Sequence, residues 1–365
     1  MKTVDTLVIG GGIAGLSAAV RFAQHGSTIV VEAEPAIGVH SSGRSATFSH
    51  FGIGGGLVRA LTALSRPHLI EAGVARIHPA LFLAREDEMA QLQALEEASA
   101  SLGHGERVAG TDLTGIVPVL KGFAAGLLDR EGMKLDSDAM LQTHVRALKA
   151  AGAELILGAP ATAIRPEGER WIVETPGESY SARFVVNAAG AWADKIAGLA
   201  GVKPIGLRPL RRTIIAFKPP EGVGDVSAWP FTKTVGEGFY FLPEGSGRLL
   251  ASPMDEVPSE PVDAQPEEYD IALAAWRVEE GTTMSVRHIE HKWAGLRSFA
   301  PDNLPVAGFA PDAPGFFWLA GQGGFGLQTS PAMAMVAEAL LFSIDWPEEL
   351  KTYGIAPEAF APARL

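Results

Sequence analysis

The sequence predicts an α/β protein in which a parallel-sheet domain is interrupted by an inserted α+β domain with a mostly antiparallel sheet. The first observation is length, since 365 residues exceed the roughly 250 to 300 at which a single core usually stops growing. The second is a strand, glycine turn, helix and strand at the N-terminus. The third is a series of short extended runs, separated by Pro and Gly, over residues 205–256.

The amino-acid composition excludes several classes of partner and cofactor. A formal net charge of −12 argues against nucleic acid as a partner, because phosphate binding needs an excess of Lys and Arg. The absence of cysteine excludes disulfides, thiolate metal sites and cysteinyl-linked cofactors, and we predict no metal site. The apolar run at the N-terminus is too short to span a bilayer and lacks a cleavage pattern, so we expect a soluble, cytoplasmic protein without a transmembrane segment.

The N-terminal glycine turn has the spacing of a dinucleotide site. Gly10, Gly12 and Gly15 stand in GxGxxG register between a strand and a helix, and Glu32 ends the next strand. The first glycine allows a tight turn, the second lets a pyrophosphate approach the backbone, and the third lets helix and strand pack closely. The carboxylate of Glu32 can accept hydrogen bonds from two ribose hydroxyls, and its negative charge would repel a 2′-phosphate. The glycine spacing, the strand–helix–strand order around it and the terminal Glu32 together predict a Rossmann-like site for an adenine dinucleotide.

Later parts of the sequence again predict helices and strands that alternate along the chain. A helix over residues 137–152 is followed by a strand, and near the C-terminus an apolar strand leads into a second glycine turn and a long helix. That turn either closes the strand or presents a helix N-terminus to negative charge. We therefore predict a discontinuous nucleotide-binding domain and an inserted substrate-binding domain. The predicted segments are 1–78, 137–200 and 300–365 for the first, and 79–136 and 201–299 for the second.

Motifs along nearly the whole chain carry a resemblance to a known family. The sequence resembles the D-amino acid oxidase and glycine oxidase superfamily of FAD enzymes, and within it the D-arginine dehydrogenase type. The motifs are HSSGRSA (40–46), VVNAAGAWAD (185–194), WAGLRSF (293–299) and GQGGFGLQTS (321–330), beside the first glycine turn and Glu32.

The resemblance implies a noncovalent FAD, with its pyrophosphate on the first glycine turn and its ribose on Glu32. The segment from residue 41 to 46 matches the part that runs along FAD toward the isoalloxazine ring. The cofactor-binding residues it implies are Gly10, Gly12, Ile13, Ala14, Gly15, Glu32, Ser41, Gly43, Arg44, Ser45, Ala46, Ala161, Gly190, Gly323, Gly324, Leu327, Gln328 and Thr329.

The resemblance also implies a carboxylate-binding set formed by Arg212, Tyr240 and Arg297. A planar guanidinium can engage a carboxylate through two parallel hydrogen bonds, which fixes the rotation of the substrate as well as its position. Other interpretations stay open at this point. Arg211 could take the role of Arg212, Arg297 could pair with Asp302, and Tyr240 could be a core aromatic residue.

The reaction implied is oxidative deamination of a D-amino acid, in which hydride passes from Cα to flavin N5 and the imino acid is hydrolysed to a 2-oxo acid. The electron acceptor, whether a quinone, a dye-like acceptor or O2, is not identified by the sequence. Alternative substrates are a secondary amine, such as an opine or N-substituted glycine, and a 2-hydroxy acid. A subunit that only relays electrons would not need the arginine and tyrosine set.

The sequence departs from the arginine enzymes around the substrate. Phe48 and Ile53 stand where those enzymes have a histidine and a lid tyrosine, and Ala80 stands in place of the acid that would pair with a guanidinium side chain. Glu86 could supply that acid only with a gap in the alignment. We therefore predict that the preferred side chain is not arginine. His50 is the candidate to take the amine proton.

Further predicted pocket residues are Phe231, Lys233, Gly324 and Gln328. Alternation along an extended strand places Phe231 and Lys233 on one face. If that face lines the pocket, Lys233 favours an acidic or polar side chain such as that of D-glutamate or D-aspartate. The alternative is a solvated lysine near Glu237.

Overall fold

The computed structural model of the protein describes residues 1–52, 54–100, 105–245 and 247–365. Their strands form an eight-stranded sheet, a ten-stranded sheet and a small three-stranded sheet. The strands are β1 (Lys2–Ile9), β2 (Thr28–Val31), β3 (Phe48–Ser49), β4 (Ala75–Ile77), β5 (Ala80–Ala84), β6 (Glu106–Ala109), β7 (Ala125–Asp129), β8 (Met133–Leu135), β9 (Glu154–Ile156), β10 (Ala163–Glu167), β11 (Arg170–Glu174), β12 (Ser179–Asn187), β13 (Arg208–Phe217), β14 (Phe231–Thr234), β15 (Tyr240–Glu244), β16 (Arg248–Ser252), β17 (Val257–Pro258), β18 (Ile289–Phe299), β19 (Val306–Phe309), β20 (Phe316–Ala320) and β21 (Gln322–Gly323).

Helices pack against both large sheets. They are α1 (Ile13–Phe22), α2 (Gly56–Glu71), α3 (Met89–Ala100), α4 (Leu113–Ile116), α5 (Ser137–Ala150), α6 (Ala193–Leu199), α7 (Glu268–Gly281), α8 (Gly326–Phe342) and α9 (Glu348–Thr352). In the part of the chain that the structure describes, no helix combines the length and apolar character needed to cross a membrane.

The eight-stranded sheet has a parallel centre. Its strands β9, β2, β1, β12 and β20 pair in parallel, while the β10–β11 hairpin and β19 add antiparallel pairs at β12 and β20. The strands β1 and β2 are apolar and largely buried, as expected where both faces of a parallel sheet are covered. Helices α1, α2, α5 and α8 share a core with one face. The predicted strand, glycine turn, helix and strand are confirmed.

The ten-stranded sheet is antiparallel except where β14 pairs with β5. The strand order is β21-β18-β13-β16-β15-β14-β5-β7-β6, with β17 on β13. Helix α7 covers one face through a core of aliphatic and aromatic side chains. The opposite face carries a second core that includes Phe82, Phe231 and Tyr240. This confirms the predicted α/β class with a mostly antiparallel second sheet.

The two large sheets are formed by separate parts of the chain, with one exception. The first uses residues 2–31, 154–187 and 306–320, and the second uses 80–129 and 208–299. The exception is β21, which follows β20 of the first sheet directly and pairs with β18 of the second. The predicted domain boundaries remain a prediction.

Candidate functional site

A cavity of about 530 Å³ runs from the glycine turn after β1 to the inner face of the second sheet. Residues of both large sheets line it. At one end lie the glycine turn and Glu32, and at the other lie Arg212, Tyr240 and Arg297. Its volume falls within the range of about 300 to 1,000 Å³ that is usual for ligand sites.

The glycine turn leaves no room for side chains at two positions. Gly10 has φ of +119°, and a Cβ there would lie 2.4 Å from the carbonyl oxygen of Ala188. A Cβ on Gly15 would lie 2.0 Å from the carbonyl oxygen of Gly10, because α1 packs closely against β1. Gly12 caps α1 without a side-chain hydrogen bond and lines the cavity together with Ile13 and Ala14. The first turn of α1 is thereby open to an anion.

Glu32 lies beside this turn at the end of β2. One of its carboxylate oxygens accepts the backbone N–H of Gly11, and the other accepts that of Glu34 at 2.9 Å. A carboxylate has about four acceptor sites, so two remain for hydroxyl donors. The side chain is fixed and lines the cavity, as a partner of ribose hydroxyls requires.

The segment from residue 38 to 46 connects the glycine turn to the second sheet. Ser42 Oγ accepts the backbone N–H of Ile13 at 3.0 Å, and Ser41 Oγ donates to the carbonyl of Leu296 at 2.7 Å. Arg44 donates to the carbonyls of Val39, Ala264 and Ala294 and pairs with Asp263. The guanidinium of Arg44 thus holds the segment in place. Ser42 was not predicted, because a cap 29 residues away leaves no local signal.

Most of the predicted cofactor residues line the cavity. They are Gly10, Gly12, Ile13, Ala14, Glu32, Ser41, Arg44, Ser45, Ala46, Ala161, Gly190, Gly323, Gly324 and Leu327. Gly15 and Gly43 lie behind the lining. The side chain of Gln328 donates instead to Thr62 Oγ1 at 2.7 Å, and Thr329 donates to the carbonyl of Phe325. Consecutive residues of a helical turn point in different directions, so the first turn of α8 cannot present all of them to the cavity.

The polar groups along the cavity match a dinucleotide in order. A carboxylate lies at the ribose end, the N-terminus of α1 follows, and Gly323, Gly324 and the start of α8 form the far end. The residues present therefore fit FAD. Trp192 and Lys195 also line the cavity and were not among the predicted residues.

Arg212 and Arg297, here called the arginine pair, project from neighbouring strands. Arg212 is opposite Gly295 and Arg297 is opposite Leu210 in the antiparallel pairing of β13 with β18, so both side chains lie on the inner face. The Oε1 atom of Glu256 accepts from Arg212 Nη2 at 3.1 Å and from Arg297 Nη1 at 2.6 Å. A shared carboxylate thus holds two like charges side by side.

The remaining donors of the arginine pair lie against neighbouring backbone. Arg212 Nε donates to the carbonyl of Asp255 at 2.7 Å. A Cβ on Gly324 would lie 2.0 Å from Arg297 Nε and 2.3 Å from its Nη2, so this edge of the guanidinium packs directly against Gly324, which lines the cavity. Among the described residues no acceptor is found for these two atoms. Burial lowers the pKa of Arg297 to about 10, which keeps it charged at neutral pH.

The structure separates Arg211 from Arg212. Arg211 points to the opposite face of β13, where it pairs with Glu267 and with Asp270 of α7. Asp302 pairs with Arg364 at 2.7 Å and not with Arg297. Of the two neighbouring arginines on β13, Arg212 is therefore the one that lines the cavity, and Arg297 lines it as well.

Five rings form an aromatic cluster beside the arginine pair, namely Phe48, His50, Phe82, Phe231 and Tyr240. Phe231 stacks on Phe48 with ring centroids 4.6 Å apart and on His50 at 5.0 Å, and it meets Tyr240 at 5.3 Å. Burial raises the pKa of Tyr240, so its hydroxyl stays protonated and can donate. The cluster provides an apolar wall with one phenol at its edge.

His50 lines the cavity as a neutral imidazole. Burial lowers the pKa of His50 to about 3, and the charges of Lys233 and Arg297 act in the same direction. Its Nδ1 accepts the backbone N–H of Gly52 at 3.1 Å, so the proton of the neutral ring is on Nε2. Such a ring donates a hydrogen bond, and this argues against the predicted role as acceptor of the amine proton.

Lys233 is partly buried on the same sheet face. It is opposite Tyr240 in the β14–β15 pairing and opposite Phe82 in the β14–β5 pairing. Its Nζ donates to the carbonyl of Thr234 at 2.9 Å. Glu237 pairs with Arg277 instead, so the solvated pair with Lys233 is not formed. The side chain lies behind the cavity lining, next to the aromatic cluster.

Ala80 and Glu86 are the two positions that the sequence offered for an acid able to pair with a guanidinium side chain of the substrate. Ala80 is fully buried on the inner face, and Glu86 is exposed at the surface. Neither places a carboxylate beside the aromatic cluster. The predicted pocket residue Ile53 lies outside the described residues.

Comparisons with known proteins identify the family of the chain. The family profile described as FAD dependent oxidoreductase, DAO, matches residues 5–340. Glycerol-3-phosphate dehydrogenase 1 of Mycobacterium bovis is 25% identical over 327 residues, which cover 80% of this chain and 62% of that protein. Glycine oxidase of Bacillus subtilis is 27% identical over 211 residues, which cover 55% of this chain and 53% of that enzyme. The chain thus spans about half to three fifths of the length of these curated relatives.

Solved structures share the fold. L-proline dehydrogenase from P. horikoshii superposes with a TM-score of 0.83 at 21% identity, over 100% of this chain and 98% of that one. At this identity the likeness establishes the fold and leaves the substrate open.

Proposed function

Because the chain belongs to the DAO family of FAD-dependent oxidoreductases and uses FAD as its cofactor, we propose that it oxidises the Cα–N bond of a D-amino acid. The observation that carries this proposal is the arginine pair, which lines the same cavity as the dinucleotide turn. When bound, FAD supplies the two-electron acceptor that takes the hydride from Cα. The resulting imino acid takes up water and yields a 2-oxo acid and ammonia.

The arginine pair would bind the α-carboxylate. Arg297 lines the cavity and a planar guanidinium can engage both oxygens of a carboxylate, while Arg212 supplies a second charge from the adjacent strand. Two parallel hydrogen bonds would fix the rotation of the substrate about its Cα–carboxylate bond. A fixed rotation presents one face of Cα to the cofactor, so a single enantiomer reacts.

Tyr240 and His50 would orient the rest of the substrate. Both are neutral hydrogen-bond donors in the aromatic cluster, and both line the cavity. The apolar wall around them excludes water from one side of Cα. Since His50 is a weak base here, we propose that the amine proton passes to water.

The proposal is tested by anaerobic mixing of the FAD-bound protein with a panel of candidate substrates. The panel contains D- and L-amino acids, N-substituted glycines, opines, 2-hydroxy acids and glycerol 3-phosphate. We expect bleaching of the flavin absorbance by D-amino acids, with the L-enantiomers much slower. Bleaching only by hydroxy acids or glycerol 3-phosphate would reject C–N oxidation, and bleaching only by L-amino acids or secondary amines would reject the D preference.

A further inference from the structure

Lys233 is a cation of the site that has no carboxylate partner among the described residues. Arg212 and Arg297 share Glu256, and Arg212 also lies 3.7 Å from Asp255. In the described part of the chain, the hydrogen bond found for the ammonium of Lys233 is to the carbonyl of Thr234. A partly buried charge held by one neutral acceptor gains free energy when an anion replaces that acceptor.

The position of Lys233 is set by strand register. It is directly opposite Tyr240 and two residues from Phe231, and both of these side chains line the cavity. Burial lowers the pKa of Lys233 to about 8, and the nearby charges of Arg212 and Arg297 act in the same direction. The lysine therefore belongs to the same electrostatic site as the arginine pair, on the side of the aromatic cluster.

We propose that Lys233 forms a subsite for a second anionic group, so that the enzyme prefers amino acids with two carboxylates. The inference rests on the proposed function for the placement of the first carboxylate on the arginine pair. The side chain of the substrate would run along Phe231 and Tyr240, and its terminal carboxylate would take the place of the Thr234 carbonyl at Nζ. The flexible four-carbon stem of lysine allows its ammonium to reach past the lining.

The test uses ligands that cannot be oxidised, so that it does not depend on catalysis. Glutarate and succinate are compared with their monoamides, which have the same length and one charge fewer. Binding to the FAD-bound protein at pH 7 is followed by the perturbation of the flavin absorbance and by calorimetry. We expect the dicarboxylates to bind roughly tenfold more tightly or better than the monoamides.

Variants assign the preference to one side chain. Lys233→Met should bring both ligands to similar affinity, and Lys233→Gln provides a second neutral variant if the first is poorly folded. Lys292→Met is the matched control, because Lys292 is exposed on β18 and pairs with Glu268 at the surface. It should keep the full preference.

The outcomes separate the two proposals. Equal binding of dicarboxylates and monoamides by the unaltered protein, or a preference that survives in the Lys233 variants, overturns the subsite. If dicarboxylates bind through Lys233 but no amino acid bleaches the flavin, the subsite stands and the proposed oxidation fails. If neutral D-amino acids reduce the flavin as well as acidic ones do, the oxidation stands and the subsite fails.

Discussion

Arg297 Nη1 and Glu256 Oε1 are 2.6 Å apart, and this ion pair fixes the orientation of the guanidinium. With Nη1 held by Glu256, the Nε and Nη2 edge packs against Gly324, which lines the cavity. Glu256 is half exposed and does not line the cavity itself. It is therefore a positioning residue for the arginine pair.

Removal of this acceptor should slow the reaction. In Glu256→Ala the two guanidinium groups lose their shared acceptor and repel each other, so we expect flavin reduction by the best substrate to slow by roughly tenfold or more. Glu256→Gln keeps an oxygen that can accept both hydrogen bonds and should retain most of the rate. Rapid-mixing measurements of the limiting rate decide this, and equal rates in both variants would remove Glu256 from the positioning role.

Exchange of arginine for lysine should distinguish the three neighbouring arginines. Arg297→Lys or Arg212→Lys keeps the charge but loses the planar pair of donors, and we expect kcat/KM to fall by about a hundredfold or more. Arg211→Lys is the control, because Arg211 pairs with Glu267 and Asp270 on the other face of β13. It should change thermal stability and leave kcat/KM within about twofold. A loss of kcat/KM in Arg211→Lys as large as in the other two would contradict the assignment.

A methyl group at Gly324 should displace the guanidinium of Arg297. The new Cβ would lie 2.0 Å from Arg297 Nε, so the guanidinium must move out of its position. We expect Gly324→Ala, compared with the unaltered protein at equal FAD occupancy, to bind carboxylate ligands at least about tenfold more weakly. Gly56→Ala is a suitable control, because no described atom lies within 4 Å of a Cβ there. Absorbance ratios give the FAD content, and ligand titration gives the affinity.

The preference for dicarboxylates should depend on pH through Lys233. Burial, followed by the charges of Arg212 and Arg297, lowers the pKa of Lys233 to about 8, and Glu256 and Glu88 oppose this shift. The ammonium that attracts a second carboxylate is therefore present below about pH 8 and is lost as the pH rises through that value. The ratio of glutarate to monoamide affinity should fall between pH 7 and pH 9.5. A constant ratio over this range would count against the ammonium.

His50 should contribute no ionisation to the pH–rate profile near neutrality. Its pKa of about 3 leaves the ring neutral from pH 5 to pH 9. We expect His50→Gln to change the affinity for substrate while any acidic limb of the rate of flavin reduction stays at the same pH. If that limb disappears or shifts by a full pH unit in His50→Gln, His50 is the group that titrates. Stopped-flow rates from pH 5 to pH 9 provide the comparison.

The features that could be predicted from the sequence are those that depend on the spacing of neighbouring residues. The dinucleotide turn at Gly10 and the shared face of Phe231 and Lys233 follow from spacing within a few residues, and both are found. The contact of Glu256 with the arginine pair was not predicted, since it joins positions more than 40 residues apart. Gln328 was assigned to the cavity from its motif, but helix rotation directs its side chain to Thr62.

Strand order has a consequence for how the molecule is made. The N-terminal strand β1 pairs with β12, about 180 residues later, and β12 pairs in turn with β20 near the C-terminus. The cavity needs residues from Gly10 to Leu327, so it cannot exist until residue 327 has left the ribosome. Pairings this distant in sequence form slowly. FAD should therefore bind late in folding, and its supply should determine how much of the newly made chain reaches the native state.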